Sequence, residues 1–294
     1  MSNARGRFSC PIDMIVLDLD GTLLEHGKVI LPSVKRALKE VVKRDVKVTT
    51  ASGRQASGRP GEDQISIFER NGLGAAAGFP HYIIADEQEI YHLTSSGYEP
   101  YARYNDEIRR AWIQAWPKAR KIASAELKRL SAAGIPVRLE FSSQEEEKQR
   151  GKIILLFESL DYAKAEESFL KKLLNQEGPL TCNRHFNAVQ ILHYRAGKGN
   201  TVKKLSEYLG LPPSRILCIG DSTHDLSMLD GRYGFLAATI SSAEEEVKQA
   251  VRACGGYVAS KPRGKGILEI LSKWNLLARS GEAENETGKD RCSS

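Results

Sequence analysis

The stretch MIVLDLDGTLLEHGK, residues 14–28, carries two aspartates, Asp18 and Asp20, out of the end of an apolar run. Two carboxylates held about 4 Å apart at an effective dielectric of about 20 repel by roughly 4 kcal/mol, so the pair costs stability unless it has a use. Further polar groups stand beside other apolar runs. Ser52 and Gly53 follow VKVTTA in TTASGR, Asp221 and Asp225 follow ILCIG in CIGDSTHD, and Lys198 in RAGKGN opens the helical segment before that run. Each is ordinary by itself: Asp-Gly marks turns, a serine after a strand caps a helix, and a lysine is usually solvated. In this order they are suited to one chemistry at one place, because ligands of open parallel sheets sit beyond the carboxyl ends of the strands.

The elements that must position these groups are legible as patterns. IDMIVLDL, VKVTTA, HYIIA, ILCIG and GFLAA read as short buried strands. LPSVKRALKEVVKR places Val34, Ala37, Leu38, Val41 and Val42 on one helical face, and GNTVKKLSEYLG and SAEEEVKQAVRA read as further helices. Strand–helix alternation of this kind predicts an α/β fold with a Rossmann-like, doubly wound, mostly parallel sheet. The middle differs: it holds the tryptophans of RAWIQAWP, the acidic run SSQEEEKQR and the strand KIILLF. It reads as an inserted α+β domain. The expected division is core over 1–89, inserted cap over 90–190, core again over 191–278, and a polar, disordered tail over 279–294. Trp112 and Trp116, four residues apart on one helix, read as cap core.

DLDGTLL, TASGR, GKGNTV and GDSTHD together resemble the four motifs of the haloacid dehalogenase superfamily of phosphatases. Only 33 positions separate Asp20 from Gly53, which leaves no room for a cap there, so the insertion falls between Ser52 and Lys198. That layout resembles the Cof-like and sucrose-phosphate-phosphatase subgroup with a large α+β cap. The resemblance implies a magnesium-dependent phosphomonoester hydrolase acting on a small phosphorylated metabolite, most plausibly a sugar phosphate. Asp18 would be the nucleophile and Asp20 the general acid and base. Asp18, the main-chain carbonyl of Asp20 and Asp221 would hold Mg²⁺, while Ser52, Gly53 and Lys198 would bind the phosphoryl group. Asp225 would orient Lys198 or a metal-bound water. Arg184 and His185, where the cap re-enters the core, are candidate substrate contacts.

Two positions depart from the pattern. His224 stands where Cof-like enzymes usually have asparagine; it could donate to a phosphate oxygen, position a neighbour, or titrate near neutrality. ADEQ follows the third strand where an Asn-Gly is common. Two other function classes stay open on the sequence: a phosphotransferase or phosphomutase on the same scaffold, and a non-catalytic phospho-ligand-binding protein.

The bulk composition fits a metabolic enzyme. The 294 residues are 41% hydrophobic with a net charge of +6 and a pI of about 9.0. The basic residues are scattered among glutamates, so no nucleic-acid partner is expected. Five cysteines without a CxxC pattern (10, 182, 218, 254 and 292) read as reduced thiols, and no apolar stretch approaches a membrane span. A cytoplasmic monomer or homodimer is the expectation.

Overall fold

The computed structural model describes residues 12–175 and 178–277. The strands are β1 (Met14–Leu17), β2 (Lys47–Ala51), β3 (Tyr82–Ala85), β4 (Glu89–Thr94), β5 (Gly97–Pro100), β6 (Val137–Leu139), β7 (Lys152–Phe157), β8 (Leu180–His185), β9 (Ala188–His193), β10 (Ile216–Gly220), β11 (Leu236–Thr239) and β12 (Tyr257–Val258). The helices are α1 (Pro32–Lys43), α2 (Gln64–Arg70), α3 (Ala102–Ala132), α4 (Gln144–Arg150), α5 (Leu160–Leu174), α6 (Lys198–Leu209), α7 (Leu226–Leu229), α8 (Glu245–Ala253) and α9 (Arg263–Lys273).

The core sheet has the order β12-β11-β10-β1-β2-β3-β4-β5. Its pairs from β12 to β3 are parallel, and β4 and β5 extend the edge in antiparallel sense. β1 lies at the centre with all four residues buried, as a strand covered on both faces must be. Packing brings Val34, Ala37, Leu38 and Val41 of α1 into the same core. Between β9 and α6 the chain returns to the core.

The cap is a second sheet, β6-β7-β9-β8, antiparallel throughout. Its strands alternate. Ile153, Leu155 and Phe157 of β7 join Val189 and Ile191 of β9 against α3 and α5, in a cluster with Trp112 at its heart. Lys152, Ile154, Ala188 and Gln190 therefore point the other way, toward the core domain. The 31-residue α3 buries Tyr104, Ile108, Trp112, Ala115, Ala119 and Ala123 at spacings of three and four. The tryptophans are structural: Trp112 Nε1 donates to the Glu147 carbonyl (3.0 Å) and Trp116 Nε1 to the Glu147 carboxylate (3.1 Å).

Two boundaries differ from the sequence reading. The core sheet retains Glu89–Pro100, so the cap begins at α3 rather than at residue 90, and β9 carries it on to His193. β4 and β5 form a half-exposed edge hairpin whose mixed polarity resembles a cap strand more than a buried parallel one. The tail expected over 279–294 lies outside the described residues, as do Cys10 and Cys292. Among the described residues no helix is long and apolar enough to cross a membrane, and Cys182, Cys218 and Cys254 are free thiols.

Candidate active site

Four strands deliver their next residue to one edge of the core sheet: β1 to Asp18, β2 to Ser52, β3 to Asp86 and β10 to Asp221. Lys198, the first residue of α6, lies completely buried among them. Its ammonium donates to Asp18 Oδ1 and to Asp225 Oδ1, each at 2.6 Å. Asp225 Oδ2 accepts from the backbone N–H groups of Asp221 (3.0 Å) and Ser222 (3.1 Å), so one carboxylate both fixes the lysine and shapes the loop that carries Asp221. Thr22 Oγ1 donates to Asp221 Oδ1 at 3.1 Å. Gly21, at φ +86°, is needed for space: a Cβ there would fall 2.3 Å from Asp221 Oδ2.

The cluster is electrostatically unbalanced. Asp18, Asp221 and Asp225 offer three negative charges against the one of Lys198. Burial raises the Asp18 carboxyl well above the usual range; Lys198 opposes this, while Asp225 and Asp221 add to it. Burial, and then the Asp225 charge, push Asp221 up to about 7. Lys198 is held charged, its pKa raised by Asp18 and Asp225 against the cost of burial. Asp18 Oδ2 is buried without a hydrogen-bond partner. A group of buried acids with an orphaned oxygen is a place for a cation.

Asp20 faces the cavity and is gripped by Arg54, whose Nε and Nη2 donate to its two oxygens at 2.7 and 2.8 Å. Ser52 Oγ accepts from the Arg54 N–H at 3.2 Å, which folds the loop TASGR back on itself. His224 is buried, with Nδ1 2.6 Å from Ser222 Oγ and its ring 4.4 Å from that of His185. Burial first, and Lys198 next, push its pKa well below the ordinary histidine value, so it stays neutral rather than titrating near pH 7. His224 Nε2 stands 3.8 Å from Asp18 Oδ1 and 3.7 Å from Asp225 Oδ1. Those two oxygens already surround the lysine ammonium, so this trio of possible ligands closes on Lys198.

A cavity of about 380 Å³ lies between core and cap, lined by Asp18, Asp20, Ser52, Gly53 and His224 from below and by cap residues from above. His185 reaches it. Arg184 does not: its guanidinium is buried between Glu167 (3.1 Å) and Glu244 (2.9 Å), behind the cavity wall. The expectation of a substrate contact from Arg184 is therefore replaced by a structural tie. Strand alternation explains it, because neighbouring residues of β8 must point to opposite sides.

The sequence reading assigned no role to Arg54, Glu87, Arg150, Lys152 or Gln190, all of which line the cavity. Arg54 belongs to TASGR itself. Lys152 carried a weaker signal, a charge at the head of the apolar run KIILLF on the face alternate to its core residues. Glu87 stands in the ADEQ that replaces an Asn-Gly, and the charges of Lys152 and Lys198 hold its carboxyl below the usual range in spite of burial.

Over residues 11–275 the chain matches the sucrose-6F-phosphate phosphohydrolase family. It belongs to that family. This sucrose-6F-phosphate phosphohydrolase family member is a haloacid dehalogenase superfamily phosphatase of the Cof-like branch with a large α+β cap. A phosphoglycolate phosphatase of Picrophilus torridus is 23% identical over 270 residues, 92% of this chain and 94% of that protein. One from Methanothrix thermoacetophila is 39% identical over 84 residues, which span 29% of this chain and about a third (35%) of that protein. The fold matches the sucrose-phosphatase of Synechocystis sp. PCC6803, solved with sucrose and phosphate, at a TM-score of 0.66 and 20% identity, over 90% of this chain and 98% of that one. A haloacid dehalogenase superfamily phosphatase from Bacteroides thetaiotaomicron matches with a TM-score of 0.61 and 18% identity, over 94% and 100% of the two chains. As a member of this family the chain is a phosphatase acting on small phosphorylated substrates.

Proposed function

We propose that the protein hydrolyses a sugar phosphate through a phosphoryl group carried covalently on Asp18. The observation that carries this reading is Asp18 itself: its carboxylate is pinned by Lys198 on one oxygen, has a buried unpartnered oxygen on the other, and lines a polar cavity shared with Asp20.

The donor set fits a hard divalent cation. Asp18, the Asp20 carbonyl and Asp221 would hold Mg²⁺, which supplies positive charge against the transferring phosphoryl group. The protein's own residues do the rest. Lys198 compensates charge on Asp18 and the phosphoryl oxygens, and Ser52 and Gly53 present a hydroxyl and a backbone N–H to them. Asp18 attacks phosphorus as the ester P–O bond breaks, and Asp20 gives its proton to the departing alkoxide. Water then attacks the phosphorus of the acyl phosphate, Asp20 takes its proton, and inorganic phosphate leaves with Asp18 restored. Asp225 positions Lys198 and the Asp221 loop. The sugar preference is supported by the family's named substrate class and by a cap roof of amide, imidazole, ammonium, guanidinium and carboxylate groups.

Phosphate release from a panel of hexose phosphates tests this. Turnover should require magnesium, stop with a chelator, and fall at least about a thousandfold in Asp18→Asn. Activity that survives both treatments removes the reading.

A further inference from the structure

Asp86 and Glu87 are consecutive non-glycine residues in the left-handed region, at φ +50° and +66°. Both are buried. A side chain in that region is strained, and such strain persists where the surroundings enforce it. Here the core holds the backbone, with the Glu87 N–H donating to the Ser52 carbonyl and Thr201 Oγ1 donating to the Glu87 carbonyl, each at 2.9 Å, and the cap holds the side chains. Glu87 Oε2 accepts from Asn183 Nδ2 at 3.0 Å, and Oε1 accepts from Gln190 Nε2 at 3.2 Å. Arg150 Nε donates to Asp86 Oδ1 at 2.7 Å.

Lys152 is the exception. Its ammonium is buried, yet it stands 3.7 Å from both Asp86 Oδ1 and Glu87 Oε1, with no hydrogen bond to either. Its donors are therefore available to the cavity. Arg150, Lys152 and Glu140 descend from the cap, and Asp86 and Glu87 rise from the core, so cations and carboxylates alternate over the leaving group and the roof is rich in hydrogen-bonding atoms. Gln190 Oε1 and His185 Nε2, both in residues lining that cavity, are buried and unpartnered.

Resting on the phosphomonoesterase reading, we propose that Glu87 sets the charge of the leaving-group end of the cavity, so that the site takes an uncharged, hydroxyl-bearing leaving group and rejects a second anion. A hydroxyl can donate to Gln190 Oε1 and accept from Lys152. A carboxylate has no proton to donate, and it would meet the Glu87 charge beside the ammonium that could have bound it. Specificity here is built as much by a repulsive group as by an attractive one.

The test compares kcat/KM for glucose 6-phosphate and for 2-phosphoglycolate, with magnesium, in the full-length protein. The wild type should prefer the sugar ester. In Glu87→Gln the ratio should move toward phosphoglycolate by at least about tenfold, because Lys152 keeps Asp86 but loses the second of its two carboxylate neighbours. Adding Lys152→Gln should reverse that gain. A merely structural loss would depress both substrates alike and leave the ratio in place. Glu87→Gly suits the left-handed backbone and serves as a second carboxylate deletion. Should neither variant fold, competition against p-nitrophenyl phosphate in the wild type decides, and tighter inhibition by phosphoglycolate than by glucose 6-phosphate overturns the inference. An unchanged ratio in folded variants overturns it while sparing the sugar-phosphate reading; a wild type that cleaves neither ester ends both.

Discussion

Asp20 and Arg54 form the one pair in the cavity whose geometry opposes its assigned chemistry. A bidentate guanidinium occupies both carboxylate oxygens, whereas an acid must present one of them to the leaving oxygen. The pairing suits the second half of the reaction, in which Asp20 acts as a base, and delivery of a proton in the first half requires that Arg54 release one oxygen. Two substrates separate the halves. In Asp20→Asn, kcat for a sugar phosphate should fall by about 10²–10⁴. p-Nitrophenyl phosphate, whose phenolate departs without a proton, should still phosphorylate Asp18 and give a burst of nitrophenolate equal to the enzyme. Equal loss on both substrates with no burst would strip Asp20 of its role. The sequence made Asp20 visible because DLDGT is contiguous. Nothing in the spacing revealed that Arg54, 34 residues on, grips it, since the contact depends on how the loop after β2 folds.

Elements were legible in proportion to how fully they are buried. β1 and β10, covered on both faces, read as unbroken runs in MIVL and ILCIG, and α1 as a single apolar stripe. The edge hairpin β4–β5 is mixed in polarity and half exposed, which made it indistinguishable from cap sequence, and two-residue β12 left no period to read. Nor could a sequence pattern show that α3 and α5 place Glu126 and Glu166 on one arginine: Arg129 Nε donates to Glu126 at 2.6 Å, and its Nη2 also donates to Glu166. Burial raises Glu166 from 4.5 to about 7, against the pull of Arg129. The native cap therefore binds a proton here that the unfolded chain has already released. Stability from this group is greatest at low pH and is lost as pH climbs from about 4.5 through 7. Glu166→Gln keeps an acceptor for Arg129 and a donor for Glu126 without the titration. Its urea midpoint should fall less between pH 5 and pH 8 than that of the wild type, and parallel pH profiles would refute the assignment.

At the scale of the whole molecule, the cap rests on the core through buried ion pairs on two sides of the cavity. Arg150 meets Asp86 on one side, and Arg184 meets Glu244 on the other. The second is tied into the catalytic edge: Thr223, between Asp221 and Asp225, donates its N–H to Glu244 at 3.0 Å and its hydroxyl to the Arg184 carbonyl at 2.7 Å. Arg184 thus couples the end of β8 to the loop that carries the acidic cluster, a role that only the meeting of two distant segments creates. Its removal leaves Glu167 and Glu244 without their shared guanidinium, and breaking a buried pair from one side costs about 3–5 kcal/mol. Arg184→Met should lower the urea midpoint accordingly and speed amide exchange at Thr223 and along β8 ahead of β1 and β10. Because Glu244 loses the guanidinium that holds it against the Thr223 N–H, KM for the sugar ester should rise while the chemistry at Asp18 persists at saturating substrate. Glu244→Gln retains an acceptor for Thr223 and should show a smaller rise. Uniform acceleration of exchange across both sheets, with KM unmoved, would mean that Arg184 stabilises the fold without governing how the cap meets the site.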